Sequence, residues 1–256
     1  MGIGRSLADY FSKQGHKVYG TSRKPMTEVV SFEVLTMDVT NEQSVQSAVD
    51  QIIEKENRID VVINNAGLGI IGALEEVPEA MIQQVFETNV WGLLRVCRVV
   101  LPQMRKQNDG LIINVSSVAA TMGLPFRGIY SASKAAVEIL TESLSMEVQP
   151  FGVRVCSVLP AEVKTSINTN RLVAHGNVSS PYQAIIETMN TKVKAAINSA
   201  ADPMYIVEAI EHIINSPSPK LHYVKGPFLQ KVSILLKKIL PDRVFEKILK
   251  NHYGLK

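Results

Sequence analysis

Leu111-Ile112-Ile113-Asn114-Val115, running into Ser116-Ser117, decides the fold. The run does not alternate apolar with polar, so both of its faces are apolar. A strand sandwiched between two layers of helices needs that pattern. Similar short runs recur on either side, at Lys17–Thr21, Glu33–Met37, Asp60–Asn64, Val153–Leu159 and His222–Val224. Between them lie helical patterns at Ile3–Gln14, Asn41–Asn57, Pro78–Arg105, Tyr130–Glu147 and Asp202–Asn215. Thr40-Asn41-Glu42-Gln43 fits a capping box, in which the Thr hydroxyl and the Gln amide satisfy free N–H groups at a helix start. The alternation predicts an α/β chain: a doubly wound parallel sheet with helices on both faces. It places one domain over residues 1–226 and a helical tail over 227–256.

The chain has 256 residues, 46% hydrophobic and 20% charged, with 15 Gly, 12 Pro and 2 Cys. That length can bury a sizeable core, and the apolar fraction excludes a disordered or collagen-like chain. Cys97 and Cys156 sit in apolar runs and read as small core residues, so no disulfide framework is expected. No apolar stretch reaches the roughly 18 residues that span a bilayer, and the start has no secretion signal. A cytoplasmic protein is the expectation. The net charge of +3 is unevenly placed: residues 220–256 hold nine basic and two acidic residues, against eighteen and twenty-two before them. No basic stretch interleaved with aromatics forms a nucleic-acid module, so no nucleic-acid partner is expected. The five histidines show no metal-ligand spacing, and no metal is expected.

Tyr130-Ser131-Ala132-Ser133-Lys134 carries the chemistry. Four-residue spacing at a helix start sets the phenol and the ammonium on one face. A free phenol is a poor base at neutral pH, and a nearby ammonium favours its ionised form. The pair can donate and accept a proton as an alcohol and a carbonyl interconvert. Ser117 stands at the carboxyl end of its strand, and Asn64-Asn65-Ala66-Gly67 ends the preceding one in the same way. Asn89 lies mid-helix, where an Asn is mildly unfavourable without a task. Gly2-Ile3-Gly4 opens a helix, as the back half of a glycine-rich phosphate loop would.

Taken in order and at these spacings, the set resembles the short-chain dehydrogenase/reductase family over about residues 2–165, most closely members acting on hydroxysteroids, retinol or other lipophilic alcohols. The resemblance implies a Rossmann-type sheet and a catalytic dinucleotide-binding domain. It implies Tyr130 as catalytic acid/base, Lys134 on the nicotinamide ribose, Ser117 on the reacting oxygen and Asn89 holding a water of a proton relay. It sets Gly2, Ile3 and Gly4 at the diphosphate, Asp38 and Val39 beside the adenine, and Asn65, Ala66 and Gly67 along the adenosine. Pro160, Val163 and Thr165 fall in the segment that grips the carboxamide. The strand ending Tyr19-Gly20-Thr21-Ser22-Arg23-Lys24 carries no acid for a ribose 2′-OH. Two cations there favour a 2′-phosphate, hence NADP over NAD, with Arg23 as a bidentate partner. A homodimer or homotetramer through the 78–105 and 130–147 helices is expected by family analogy.

Two features depart from the family pattern. Its members begin with a strand and the front of the glycine loop, so this sequence reads as short at its start by about 10–15 residues. The strand in question belongs between Lys17–Thr21 and Asp60–Asn64. Ala161 stands where a Gly usually follows Pro160. Residues 164–200 read as an irregular or weakly helical insertion, a candidate lid. Leu172, Val173, Tyr182, Ile185, Ile186, Met189 and Met204 would line a lipophilic pocket or pack the lid on the body. Met81, Met104 and Met146 read as core filler. In the tail, Phe228, Val232, Leu235, Leu236, Ile239 and Leu240 share a face. That tail could cover the substrate pocket or pack against a second subunit, packing being the favoured reading, or lie on an anionic membrane through Lys231, Lys237, Lys238 and Lys247. A non-catalytic nucleotide sensor or scaffold of the same fold is the alternative to an enzyme.

Overall fold

Helices and strands are interspersed along the chain, and every strand pair among the described residues runs parallel. The computed structural model describes residues 2–26, 28–163, 171–174, 180–198 and 202–255. Its elements are α1 (Ile3–Lys13), β1 (Tyr19–Ser22), β2 (Glu33–Thr36), α2 (Glu42–Glu56), β3 (Val61–Asn64), β4 (Ile70–Ile71), α3 (Glu79–Phe86), α4 (Gly92–Gln107), β5 (Gly110–Val115), α5 (Gly128–Val148), β6 (Val153–Pro160), β7 (Leu172–Val173), α6 (Gln183–Asn198), α7 (Met204–Ile214), β8 (His222–Lys225), α8 (Phe228–Ile239) and α9 (Asp242–Tyr253).

Strands β3, β5, β6 and β8 form one sheet in that order. Its register sets Asn64 opposite Asn114, Val115 opposite Val158 and Pro160 opposite Lys225. The unbroken apolar run of β5 has the expected consequence. Ile112 enters a core with Val45 and Val49 of α2 and Val100 and Met104 of α4. Leu111 and Ile113 enter another with Leu7 and Phe11 of α1 and Ile206 and Ile210 of α7. Both faces of the strand are therefore covered, and the chain is a doubly wound α/β fold. Cys97 and Cys156 are free and buried, and burial pushes both thiols up to about 12.

Strands β1 and β2 pair separately from the larger sheet. No ladder joins β1 to β3. A cavity of about 730 Å³ lies there, lined by Phe11, Val18, Val49, Val61 and Ile63 among others, and it reaches Gly4 and Asn65. It lies between the 17–21 and 60–64 segments.

Several expectations need correction. Pro78–Arg105 is not one α-helix: α3 passes through a π-helical turn, Glu87–Trp91, into α4. Asn89 sits in that turn with its side chain bonded outside the helix, a task such widened turns serve. Thr40 is not the cap of α2. Asp38 accepts from both the Thr40 N–H (2.9 Å) and its hydroxyl (2.8 Å), and Asn41 caps instead by accepting from the Ser44 N–H at 2.9 Å. The 164–200 segment holds a regular helix, α6, whose Ile186, Met189 and Val193 turn one buried face inward at helical spacing. Met146 is not core filler, being 70% exposed on α5.

Candidate active site

The carboxyl end of β5 fixes two of the expected residues at once. Beyond Val115 the chain stays extended, and the Ser116 N–H donates to the Val158 carbonyl at 2.8 Å. Ser117 then caps a 3₁₀ turn, Val118–Thr121, its Oγ accepting from the Ala119 N–H at 3.1 Å. From the facing helix α5, Lys134 sends its Nζ to the Val115 carbonyl at 2.8 Å. This amine is buried, and burial pushes its pKa down while Tyr130 and Glu138 push the other way. Tyr130, one turn earlier, is buried among Ile70, Val77, Val85, Ala119 and Ala174, with the Arg127 guanidinium 5.3 Å from its ring centre. Phenol, amine and Ser117 thus gather at one strand end.

Asn89 ties a loop to this helix. Its Oδ1 accepts from the Leu68 N–H at 2.7 Å, and its Nδ2 donates to the Leu68 carbonyl and to Ser133 Oγ, both at 3.0 Å. Ser133 in turn donates to the Tyr130 carbonyl at 2.8 Å. The Asn side chain therefore holds Leu68, three residues past Asn65, against the first turn of α5.

The expected cofactor residues are spread over several elements. Gly2 precedes α1 with no side chain capping the free N–H groups of the first turn. A Cβ on Gly4 would lie 2.6 Å from Asn65 Nδ2, so the absence of a side chain lets the Asn65-Ala66-Gly67 loop approach the helix start. Ile3 packs at the margin of the α1 core. Arg23 is exposed just past β1. Two Thr40 hydrogen bonds hold the Asp38 carboxyl below its ordinary value, with Arg23 and Arg95 adding to the effect. Val39 packs on Gly92, where a Cβ would come within 2.8 Å of it. Pro160 closes β6, and the Ala161 N–H donates to the Lys225 carbonyl at 2.7 Å. The Ala161 methyl fits because Gly226 opposite it, at φ +156, carries none. Val163 turns its side chain into the core beside Leu7 and Ile206 and not into an open groove. Thr165 lies outside the described residues.

Sequence reasoning missed several neighbours. Arg171, just before β7, has its pKa lowered to about 10 by burial and by Arg127. Burial raises the Tyr253 phenol near the chain's end, while Arg127 opposes. Nothing in the local pattern of either residue signals that α9 returns to this site. Asn114 was more legible, as an Asn within an apolar run. It accepts from Asn64 Nδ2 at 2.9 Å and donates to Thr141 Oγ1 at 2.8 Å, a buried rung joining β3, β5 and α5. Behind Lys134, the Glu138 carboxylate meets Ser157 Oγ at 3.0 Å and His222 Nδ1 at 2.9 Å. Among the described residues no group of three or more His, Cys, Asp or Glu could hold a metal.

Two described residues of the expected lid bond to the body. Tyr182 donates to Glu75 Oε1 at 2.6 Å and Ser180 to Glu76 at 2.7 Å. Ile186 and Met189 are buried, whereas Ile185 and Met204 lie more than a third exposed.

Comparison with known proteins bears on the family and the fold. The chain is 39% identical over 257 positions to 3-ketodihydrosphingosine reductase of Bacteroides thetaiotaomicron, covering 100% of this chain and 95% of that one. Human 17-beta-hydroxysteroid dehydrogenase type 1 is 30% identical over 87% of this chain and 74% of its own. A short chain dehydrogenase/reductase from Burkholderia phymatum, solved in complex with NAD, superposes with a TM-score of 0.81 at 26% identity, over 93% of this chain and 89% of that one. The family model for short chain dehydrogenases matches residues 1–175, and the chain belongs to that family of oxidoreductases.

Proposed function

We propose that this chain interconverts a secondary alcohol and a ketone on a lipophilic substrate, using NADP. The observation that carries the reading is the buried Lys134 amine, fixed on the Val115 carbonyl one helical turn from Tyr130. Burial makes the charge of Lys134 costly, and the Tyr130 side chain one turn away offsets part of that cost. Tyr130 then passes its proton to the substrate oxygen in reduction and takes it back in oxidation. Ser117 orients that oxygen, and Asn89 acts through Leu68 and Ser133 to hold the phenol's helix in place.

The residues present fit a dinucleotide. The uncapped first turn of α1 and the close approach of Gly4 to Asn65 suit a diphosphate, which binds where free N–H groups and no side chains are offered. Gly2, Ile3 and Gly4 would hold the diphosphate, Asp38, Val39, Asn65, Ala66 and Gly67 the adenosine, and Pro160 the carboxamide side, with Val163 able to contribute there only through its backbone because its side chain is buried. When bound, the cofactor supplies or accepts the hydride. Arg23 at the end of β1, a strand that closes on Thr21, Ser22 and this cation and not on an acid, favours NADP over NAD, with Asp38 beyond β2 the carboxylate that feels its charge. The names of the two relatives above suggest a long-chain ketone or steroid-like substrate. Exposed Trp91, Ile139 and Met146 on the π turn and α5 suit a homo-oligomer contact.

The test uses purified protein with 3-ketodihydrosphingosine and a panel of steroid ketones, following NADPH fluorescence and its consumption. Tyr130→Phe is expected to bind NADPH as the parent does and to lose nearly all turnover. A Tyr130→Phe protein with parental turnover would overturn the assignment.

A further inference from the structure

The last thirty residues form a helical pair whose inner side is secured to the body. Gln230 Oε1 accepts from the Glu162 N–H at 3.1 Å, α8 rests on the turn after Ser117, and Lys192 Nζ donates to the Tyr253 carbonyl at 3.1 Å. Lys237 joins the two helices, bonded to Asp242 at 2.8 Å and lying 5.6 Å over the Phe245 ring, which is buried. Val232, Leu236 and Leu240 are half-buried on this inner side. The tail thus contacts the body, yet packing uses only part of its apolar surface.

Its outer side stays apolar. On α8, Phe228 is 78% exposed, Ile239 65% and Leu235 56%; on α9, Val244 and Ile248 are nearly half exposed. Large apolar side chains grouped this way seldom face water without a partner. Lys231 and Lys238 share the exposed face of α8 with Leu235 and Ile239, and Lys247 adjoins Ile248 on α9. Among the described residues none of these three lysines has a carboxylate within ion-pair distance, whereas Lys237, Arg243 and Lys250 are paired. Exposed apolar groups flanked by unneutralised lysines on short helices match the interface of an anionic bilayer, where the rings and alkyl chains enter the acyl boundary and the ammonium groups meet phosphates. A second protein copy would bring the same positive charge to the contact and be repelled.

We infer that the outer face of α8 and α9 is a docking surface for an anionic lipid bilayer. The contact is peripheral, since no helix among the described residues is long and apolar enough to cross a membrane. It sets the helices that pack beside Ser117 and Tyr130 against the lipid, which is where a lipophilic substrate would arrive. The surface itself follows from exposure and charge and does not depend on the reaction.

The test is co-sedimentation of the full chain with phosphatidylcholine vesicles, with and without phosphatidylglycerol. Binding is expected to the anionic vesicles alone and to weaken as salt rises. Each lysine near such a surface contributes about fivefold in partitioning, so replacing Lys231, Lys238 and Lys247 together by Gln is expected to lower binding about a hundredfold. Leu235→Ser with Ile239→Ser and Ile248→Ser is expected to abolish it, with melting temperature unchanged because these side chains face outward. Protein left in the supernatant with anionic vesicles would overturn the proposal, as would binding that survives both triple variants. Sedimentation velocity covers the rival occupant: dissociation of an oligomer by the apolar triple variant, with no vesicle binding by the parent, would assign the face to a second copy.

Discussion

Replacing Asn89 by Ala tests whether the site depends on a cross-link between the Leu68 loop and α5. Asn89 is 2% exposed and makes three side-chain hydrogen bonds, at 2.7, 3.0 and 3.0 Å. The variant orphans the Leu68 N–H, which costs about 1–3 kcal/mol when no water replaces the partner. Ser133 keeps its bond to the Tyr130 carbonyl and loses its Asn89 partner, adding about 1 kcal/mol. The expected loss is about 2–4 kcal/mol, and at about 2–4 °C per kcal/mol for a chain of this size the melting temperature falls by about 5–15 °C. Circular dichroism melting reads the stability, and NADPH consumption at a temperature where both proteins are folded reads turnover. Turnover is expected to fall by more than the unfolded fraction explains, because the first turn of α5 carries Tyr130. A variant melting within about 1 °C of the parent would refute the reasoning, since such bonds cannot be lost without cost in a buried site.

Arg23→Ala is expected to weaken NADP binding about 10–100-fold, the range of a lost charge-assisted contact, and to leave NAD binding near its starting value; equal losses in a fluorescence titration would remove Arg23 from the cofactor site. Cys97 and Cys156, raised to about 12 by burial, are about 0.01% thiolate at pH 8, so native protein is expected to resist alkylation that labels both after unfolding. Rapid native labelling by mass spectrometry would show that their cores open. In hydrogen exchange, the 19–22 and 61–64 strands, each paired on one edge, are expected to exchange ahead of β5 and β6, which are paired on both. Equal protection would mean that the cavity between β1 and β3 is closed in solution.

Much of this architecture was legible because the signals were strong and local. The unbroken run at 111–115 told of a strand covered on both faces, and Ile112 and Ile113 do enter opposite cores. Tyr130 and Lys134 were legible as a pair because helical spacing fixes their shared face. Less legible was anything set by competition between partners. Thr40 looked like a helix cap, but Asp38 takes its hydroxyl and passes the role to Asn41. A π turn leaves no periodic mark, and Asn89 showed only as an awkward residue mid-helix. The helix at 183–198 was hidden because its Ile186, Met189 and Val193 stripe is narrow amid polar residues. Arg171 and Tyr253 lie far from Tyr130 in sequence, and nothing near either residue signals that the chain returns.

The spacing of Tyr130 and Lys134 brings the pair to one face without holding it there. A lysine has four rotatable bonds, and an amine left free would seek water before a phenol. Here the Val115 carbonyl binds the amine and encloses it, so the strand end that presents Ser117 also fixes Lys134. Ser116 closes the link by donating to the Lys134 carbonyl at 3.4 Å. From the other side, Asn89 and Ser133 hold the backbone of Tyr130. Two elements from distant parts of the sequence, the end of β5 and the π turn, therefore converge on the start of α5. The spacing alone recurs on ordinary surface helices, whereas a turn held from both sides has little freedom to move away from a reacting oxygen. In the proposed reaction, that restraint would add orientation to charge.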